Sequence, residues 1–121
     1  MTRIVETQVQ DRIVACLAQV GVWSFRVRAE ARFRGRPAVP PGTPDIWTEH
    51  GWIELKMRNG ILSPEQTAWH DKARRRNVRA CIVYEGSEGP EELVSRAVKT
   101  VLRWRAEMGH RCPYERCPLE E

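Results

Sequence analysis

Two short apolar runs around a turn, Asp45-Ile-Trp-Thr-Glu49 and Trp52-Ile-Glu-Leu-Lys-Met57, constrain this chain more than any other stretch. Glu54 and Lys56 are two apart in a β-favouring run, so their side chains leave a strand on one face while Ile53, Leu55 and Met57 leave on the other. With His50-Gly51 as a two-residue turn, the runs form a hairpin in which Asp45 lies opposite Lys56. Directly opposed residues share a face. The spacing therefore predicts Asp45, Glu54 and Lys56 crowded on one patch of sheet. An isolated Glu-x-Lys pair is usually a cross-strand salt bridge. Here the triplet sits among apolar residues, with Pro44 restricting the backbone just ahead of Asp45. Two carboxylates beside an ammonium suit a hard divalent cation, Mg²⁺ or Mn²⁺. A lysine there can orient water or stabilise charge on a phosphate.

The hairpin is followed by Arg58-Asn59-Gly60 and then Ser63-Pro64-Glu65-Gln66, a strong helix start. Ser63 is the expected N-cap, Pro64 the first helical residue and Gln66 the closing member of a capping box. The helix carries Trp69 and Ala73 inward and ends at Arg74-Arg75-Arg76-Asn77. Val78 to Tyr84 alternates as a third strand, giving strand–strand–helix–strand from Asp45 to Tyr84.

These residues resemble a known signature. Gly42-Thr-Pro44-Asp45-Ile46 with Trp52-Ile-Glu54-Leu-Lys56 is similar to the Pro-Asp…(Asp/Glu)-x-Lys pattern of the PD-(D/E)XK nuclease superfamily. Leu62-Ser-Pro-Glu-Gln66-Thr-Ala-Trp69 narrows the resemblance to the VRR-NUC family, including its small stand-alone phage members. The resemblance spans residues 42 to 84. It implies an α/β fold with a central mixed sheet flanked by helices, and Mg²⁺- or Mn²⁺-dependent hydrolysis of DNA. For stand-alone members it implies branched substrates such as four-way (Holliday) junctions, cut by a homodimer. On this resemblance Asp45, Glu54 and the Leu55 carbonyl hold the metal, and Lys56 and Gln66 join Asp45 and Glu54 as catalytic residues. A glutamate of the first helix completes the metal site, and Glu6 is the matching position.

Residues 2 to 20 read as an amphipathic helix with Thr2 as a candidate N-cap and Val9, Ile13, Cys16, Leu17 and Val20 as its stripe. By spacing Glu6 falls on that stripe, where a carboxylate is costly unless paired or metal-bound; alternatively it serves only the helix N-terminus. Trp23 to Arg34 alternates strictly, with Trp23, Phe25, Val27, Ala29, Ala31 and Phe33 on one face. This predicts a half-buried strand, or a strand pair bending near Glu30. Its other face presents Arg26, Arg28, Arg32 and Arg34, extended by Arg36, as a candidate contact for a nucleic-acid backbone. Of the 20 basic residues 17 are arginine, which suits bidentate phosphate contact. Pro90 to Met108 predicts a last helix with Leu93, Val94, Ala97, Val98, Val101, Leu102 and Trp104 inward. Its breadth hints at a surface left over for a second copy.

At 121 residues, 30% of them charged, the chain makes one globular domain, residues 1–109, with a Cys-containing tail at 110–121. No apolar run approaches a membrane span and no leader is evident, so a cytoplasmic protein is expected, in the bacterial host if phage-encoded. Cys16, Cys81, Cys112 and Cys117 are expected as reduced thiols. Two alternatives to a nuclease stay open: a non-catalytic DNA-binding module, and a protein-interaction module with the same fold.

Overall fold

A computed structural model describes residues 6–28 and 32–107. Within them the chain is a mixed α/β fold of three helices and a four-stranded mixed sheet, with a small two-stranded ribbon apart. The first helix, α1, runs Glu6–Gln19, followed by β1 at Ser24–Arg26. The ribbon is formed by β2, Arg32–Phe33, and β3, Arg36–Pro37, joined by Arg34-Gly35 with both residues at positive φ. Next come β4, Ile46–Thr48; β5, Gly51–Lys56; α2, Pro64–Arg75; β6, Ala80–Tyr84; and α3, Pro90–Glu107. The sheet order is β1-β4-β5-β6, antiparallel except for the β5–β6 pair, which α2 connects as a crossover.

The hairpin register differs from the sequence expectation. Ile46 pairs with Ile53 and Thr48 with Gly51, so the turn is Glu49-His50 and Asp45 faces Glu54 rather than Lys56. Thr48 is the reason. Its hydroxyl accepts from the amides of His50 (3.1 Å) and Gly51 (3.0 Å) and donates to the Gly51 carbonyl (2.7 Å), closing the turn one residue early. Gly51 is needed in the strand, because a Cβ there would meet the Trp104 ring at 2.6 Å and the Arg79 backbone at 2.9 Å. The partner of Asp45 thus moves two residues along β5, which preserves the face on which it lies.

One face of the sheet carries Ile46, Ile53, Leu55 and Val83 into a core with Val9, Ile13 and Leu17 of α1 and Leu93, Val94, Ala97, Val101 and Trp104 of α3. Arg12 reaches Glu91 with both guanidinium nitrogens at 2.5 Å, tying α1 to α3 across the surface. The predicted α1 stripe ends early: Gln10 is buried in it, whereas Val20 lies past the helix end and is exposed. Of the predicted α3 stripe, Leu93, Val94, Ala97, Val101 and Trp104 are buried, whereas Val98 and Leu102 are only half-buried. Cys16 and Cys81 are half-buried free thiols. Thr2, Met108 and the tail with Cys112 and Cys117 lie outside the described residues.

The segment from Trp23 to Arg34 departs most from expectation. β1 is three residues long and pairs with β4, while Arg32-Phe33 belongs to the separate ribbon. The presumed buried face is open: Trp23 is 76%, Phe25 54% and Phe33 69% exposed. Period-two alternation states which residues share a face, not which face is covered. α1 covers the Ser24/Arg26 side, and the Arg26 Nε pairs with Asp11 of α1 at 3.1 Å. Arg26 therefore leaves the row of free guanidinium groups. Ala29, Glu30 and Ala31 fall outside the described residues.

Candidate active site

The face of the sheet opposite the core bears Asp45, Glu54 and Lys56, and α2 lies over part of it. Each side chain is placed by local chemistry. Continuing the register, Pro44 lies across from Leu55, and there the strand pairing ends. The Asp45 carboxylate takes over as acceptor, receiving the Leu55 amide at its Oδ2 (2.8 Å). Asp45 is thus held by the backbone of the strand that carries Glu54. The Asp45 carbonyl meanwhile accepts from Val27 (2.7 Å), extending β1 to the same point.

Glu54 is 1% exposed and lies centrally in the sheet. Its Oε1 accepts from the Gln66 side-chain amide at 2.6 Å, while no N–H or O–H group among the described residues donates to its buried Oε2. Gln66 serves two roles through the two ends of one amide. Its Oε1 accepts from the Ser63 amide (2.9 Å) and its own backbone amide donates to the Ser63 hydroxyl (3.1 Å), completing the capping box. Its Nε2 is left to point at Glu54. Gln66 therefore both closes the capping box and donates to Glu54.

Gly42 explains the glycine of the Gly-Thr-Pro-Asp segment. At φ +86°, a Cβ there would run into the carbonyl of Glu65 and lie 2.9 Å from the Gln66 amide. Only a bare α-carbon lets the loop ahead of Asp45 close on the first turn of α2. The sequence reading missed this residue as a positioning element.

Burial, then a hydrogen bond to Asp45 and its negative charge, push the Glu54 carboxyl up to about 9, against a smaller opposing effect of Lys56. Glu6 is drawn into the same field. Glu6 is exposed on the first turn of α1, off the buried stripe on which its spacing put it; partial desolvation and Asp45 raise its carboxyl, and Lys56 and a hydrogen bond from Gln10 lower it in part. The charges of Asp45, Lys56 and Glu6 thus all reach Glu54. Among the described residues, however, no three His, Cys, Asp or Glu side chains converge as a preassembled metal cluster. The donor set that does fit a hard divalent cation is narrower: the carboxylates of Asp45 and Glu54, including the Glu54 Oε2 to which no group donates. Of Leu55, the role visible here is its amide, which holds Asp45.

Because the folded-state pKa of Glu54 is raised, the metal-free protein binds a proton that the unfolded chain releases above its ordinary value near 4.5. Its contribution to stability is present below that value and is lost as pH rises towards 9. Metal-free stability should fall by up to about 1.4 kcal/mol per pH unit across this window from Glu54 alone. Glu54→Gln should flatten the profile and be the more stable protein at pH 8. Thermal melts in EDTA between pH 5.5 and 8.5 check this, and parallel profiles for the two proteins would refute it.

The remaining candidates are dispersed. Arg28, Arg32, Arg34 and Arg36 are exposed and have no acidic partner among the described residues; the Arg34 guanidinium lies 5.4 Å from the Phe33 ring centroid. Arg28 follows Val27 and so sits one residue from the Asp45 pairing. No helix among the described residues is long and apolar enough to cross a membrane. No family model, curated protein or solved structure matches this chain.

Proposed function

We propose that this chain is a metal-dependent DNA endonuclease with a PD-(D/E)XK-type core, akin to the stand-alone VRR-NUC nucleases that its residues 42 to 84 resemble. The observation that carries the reading is the opposition of Asp45 and Glu54 in one sheet register. Glu54 is held by Gln66 on one oxygen and lacks a donor on the other. A buried carboxylate facing a half-buried one is costly unless a cation lies between them or one holds a proton.

Asp45 and Glu54, with the Leu55 carbonyl, would hold Mg²⁺ or Mn²⁺, and Glu6 would add negative charge nearby. The bound ion supplies Lewis acidity at a phosphate oxygen and activation of water. Lys56, on the face of Glu54, orients the attacking water and offsets charge gathering on the phosphate. Gln66 keeps Glu54 from rotating away, and the Leu55 amide does the same for Asp45. Arg28, Arg32, Arg34 and Arg36 supply cations for the backbone on either side. The test is incubation with labelled linear, flapped and four-way DNA in Mg²⁺, Mn²⁺ or EDTA. Cleavage confined to the metal lanes supports the proposal. Binding without cleavage in any lane returns the chain to a DNA-binding module, and neither binding nor cleavage leaves a protein-interaction role.

Branched DNA as substrate follows from the resemblance, and with it a homodimer, because a four-way junction is resolved by two symmetric nicks. Light scattering at micromolar concentration is expected to give a dimeric mass, and mixing wild-type with Glu54→Gln chains should yield junctions nicked on one strand only. A monomeric mass with and without DNA refutes the dimer and favours a nicking or flap-cutting enzyme.

A further inference from the structure

Beside the carboxylates lies an aromatic row that the proposed chemistry does not use. Phe25, Trp47 and Trp52 are directly opposed across β1, β4 and β5, hence on one face. The Phe25 and Trp47 rings are stacked, with centroids 5.0 Å apart and planes 22° apart. At the far end Trp69 of α2 closes edge-on over Trp52, with centroids 5.4 Å apart, which leaves Phe25 and Trp47 as the open end. Trp23, Phe25 and Trp47 also line an open groove of about 640 Å³ along the edge strand. Trp47 is two residues from Asp45, and Trp52 two from Glu54. The aromatic row therefore runs parallel to the carboxylate row at roughly 7 Å, two strand residues away.

We propose that the exposed Phe25–Trp47 end of this row is a stacking platform for an unpaired nucleobase next to the phosphate held at Asp45 and Glu54. The inference rests on the nuclease reading for the position of that phosphate. The spacing of the rows is about that of one extended nucleotide, so a strand with a phosphate at the carboxylates has a neighbouring base over the rings. A flat ring surface on a sheet accepts any base by its π-face. The partner is identified by charge as well. Arg28, three residues on from Phe25, and Arg32, Arg34 and Arg36 of the β2–β3 ribbon are exposed with no acidic partner among the described residues, cations that a polyanion uses and an apolar protein partner does not need. Such a platform would favour flaps, junction centres and single strands, where bases are free to unstack, over intact duplex.

The experiment measures binding in EDTA, so that cleavage plays no part, using labelled single-stranded, flapped and fully duplex oligonucleotides across a salt series. Phe25, more than half exposed, tolerates replacement. Phe25→Ala and Phe25→Leu should each lose about five- to a hundredfold in affinity for the oligonucleotides with unpaired bases. Duplex affinity and the log–log salt slope should stay at wild-type values, and Phe25→Trp should bind like wild type. By contrast, Arg28→Ser and Arg32→Ser should each lower the slope by about one on all three substrates. Unchanged single-strand affinity in Phe25→Ala, or an equal loss on duplex, overturns the platform. So does a shift of Phe25→Ala from dimer to monomer with DNA affinity intact, which makes the row a contact between copies. Stacking without any Mg²⁺-dependent cleavage instead keeps the platform and removes the nuclease reading. Cleavage that is indifferent to Phe25 on flapped DNA does the reverse.

Discussion

Asp45→Asn, Glu54→Gln and Lys56→Ala are each expected to reduce Mg²⁺-dependent cleavage by roughly a thousandfold or more while leaving the protein folded. The first two remove half of the facing carboxylate pair, and the third removes the cation that shares their face. None of the three residues supplies the apolar core, which lies on the other side of the sheet. Glu54→Gln is the cleanest of them, because a glutamine keeps an oxygen for the Gln66 amide and ends the carboxylate repulsion. A variant that cleaves at the wild-type rate would sink the site. Glu6→Gln should lose less, since Glu6 acts here through its field and not through a shared ligand cluster. Rates measured with saturating metal, alongside circular dichroism of each variant, decide the matter.

Gly42→Ala is the second large effect. The added methyl would lie inside the carbonyl of Glu65 at a positive φ that alanine adopts poorly, so the loop and the first turn of α2 cannot both keep their places. About 2–3 kcal/mol of stability should be lost. The displaced turn carries Gln66, so Glu54 loses the amide that orients it, and cleavage should fall about ten- to a hundredfold even where the protein remains folded. Gly21→Ala separates the two causes. Gly21 has a similar φ of +80°, but nothing lies within 4 Å of an added Cβ. It should show the cost of φ alone, with no loss of cleavage beyond that explained by stability. Equal behaviour of the two variants, in melts and in cleavage, would mean that the contact with α2 does not position Glu54.

Where the sequence pattern was local and chemically specific, it was sufficient. Ser63, Pro64 and Gln66 define the start of α2 because a capping box is satisfied within four residues. The alternation of Glu54 and Lys56 with Ile53 and Leu55 assigned the polar and core faces of β5 because the pleat has a period of two. Even the wrong hairpin turn left Asp45 on the correct face, since a displacement of two residues along the partner strand does not change side.

What depended on distant parts of the chain was not legible. The bulk of Trp104 behind Gly51, far from the hairpin in sequence, requires glycine at the start of β5. Asp11 on α1 took Arg26 out of the basic row. α1 and α3 covered one side of the sheet and left Phe25 and Trp23 in the open, a choice of face that alternation does not make. Gly42 had no visible reason until Glu65 closed against it. A sequence carries the spacing of side chains along each element. Which face meets another element, and which charge finds a partner, is decided only when helices and sheet are packed together.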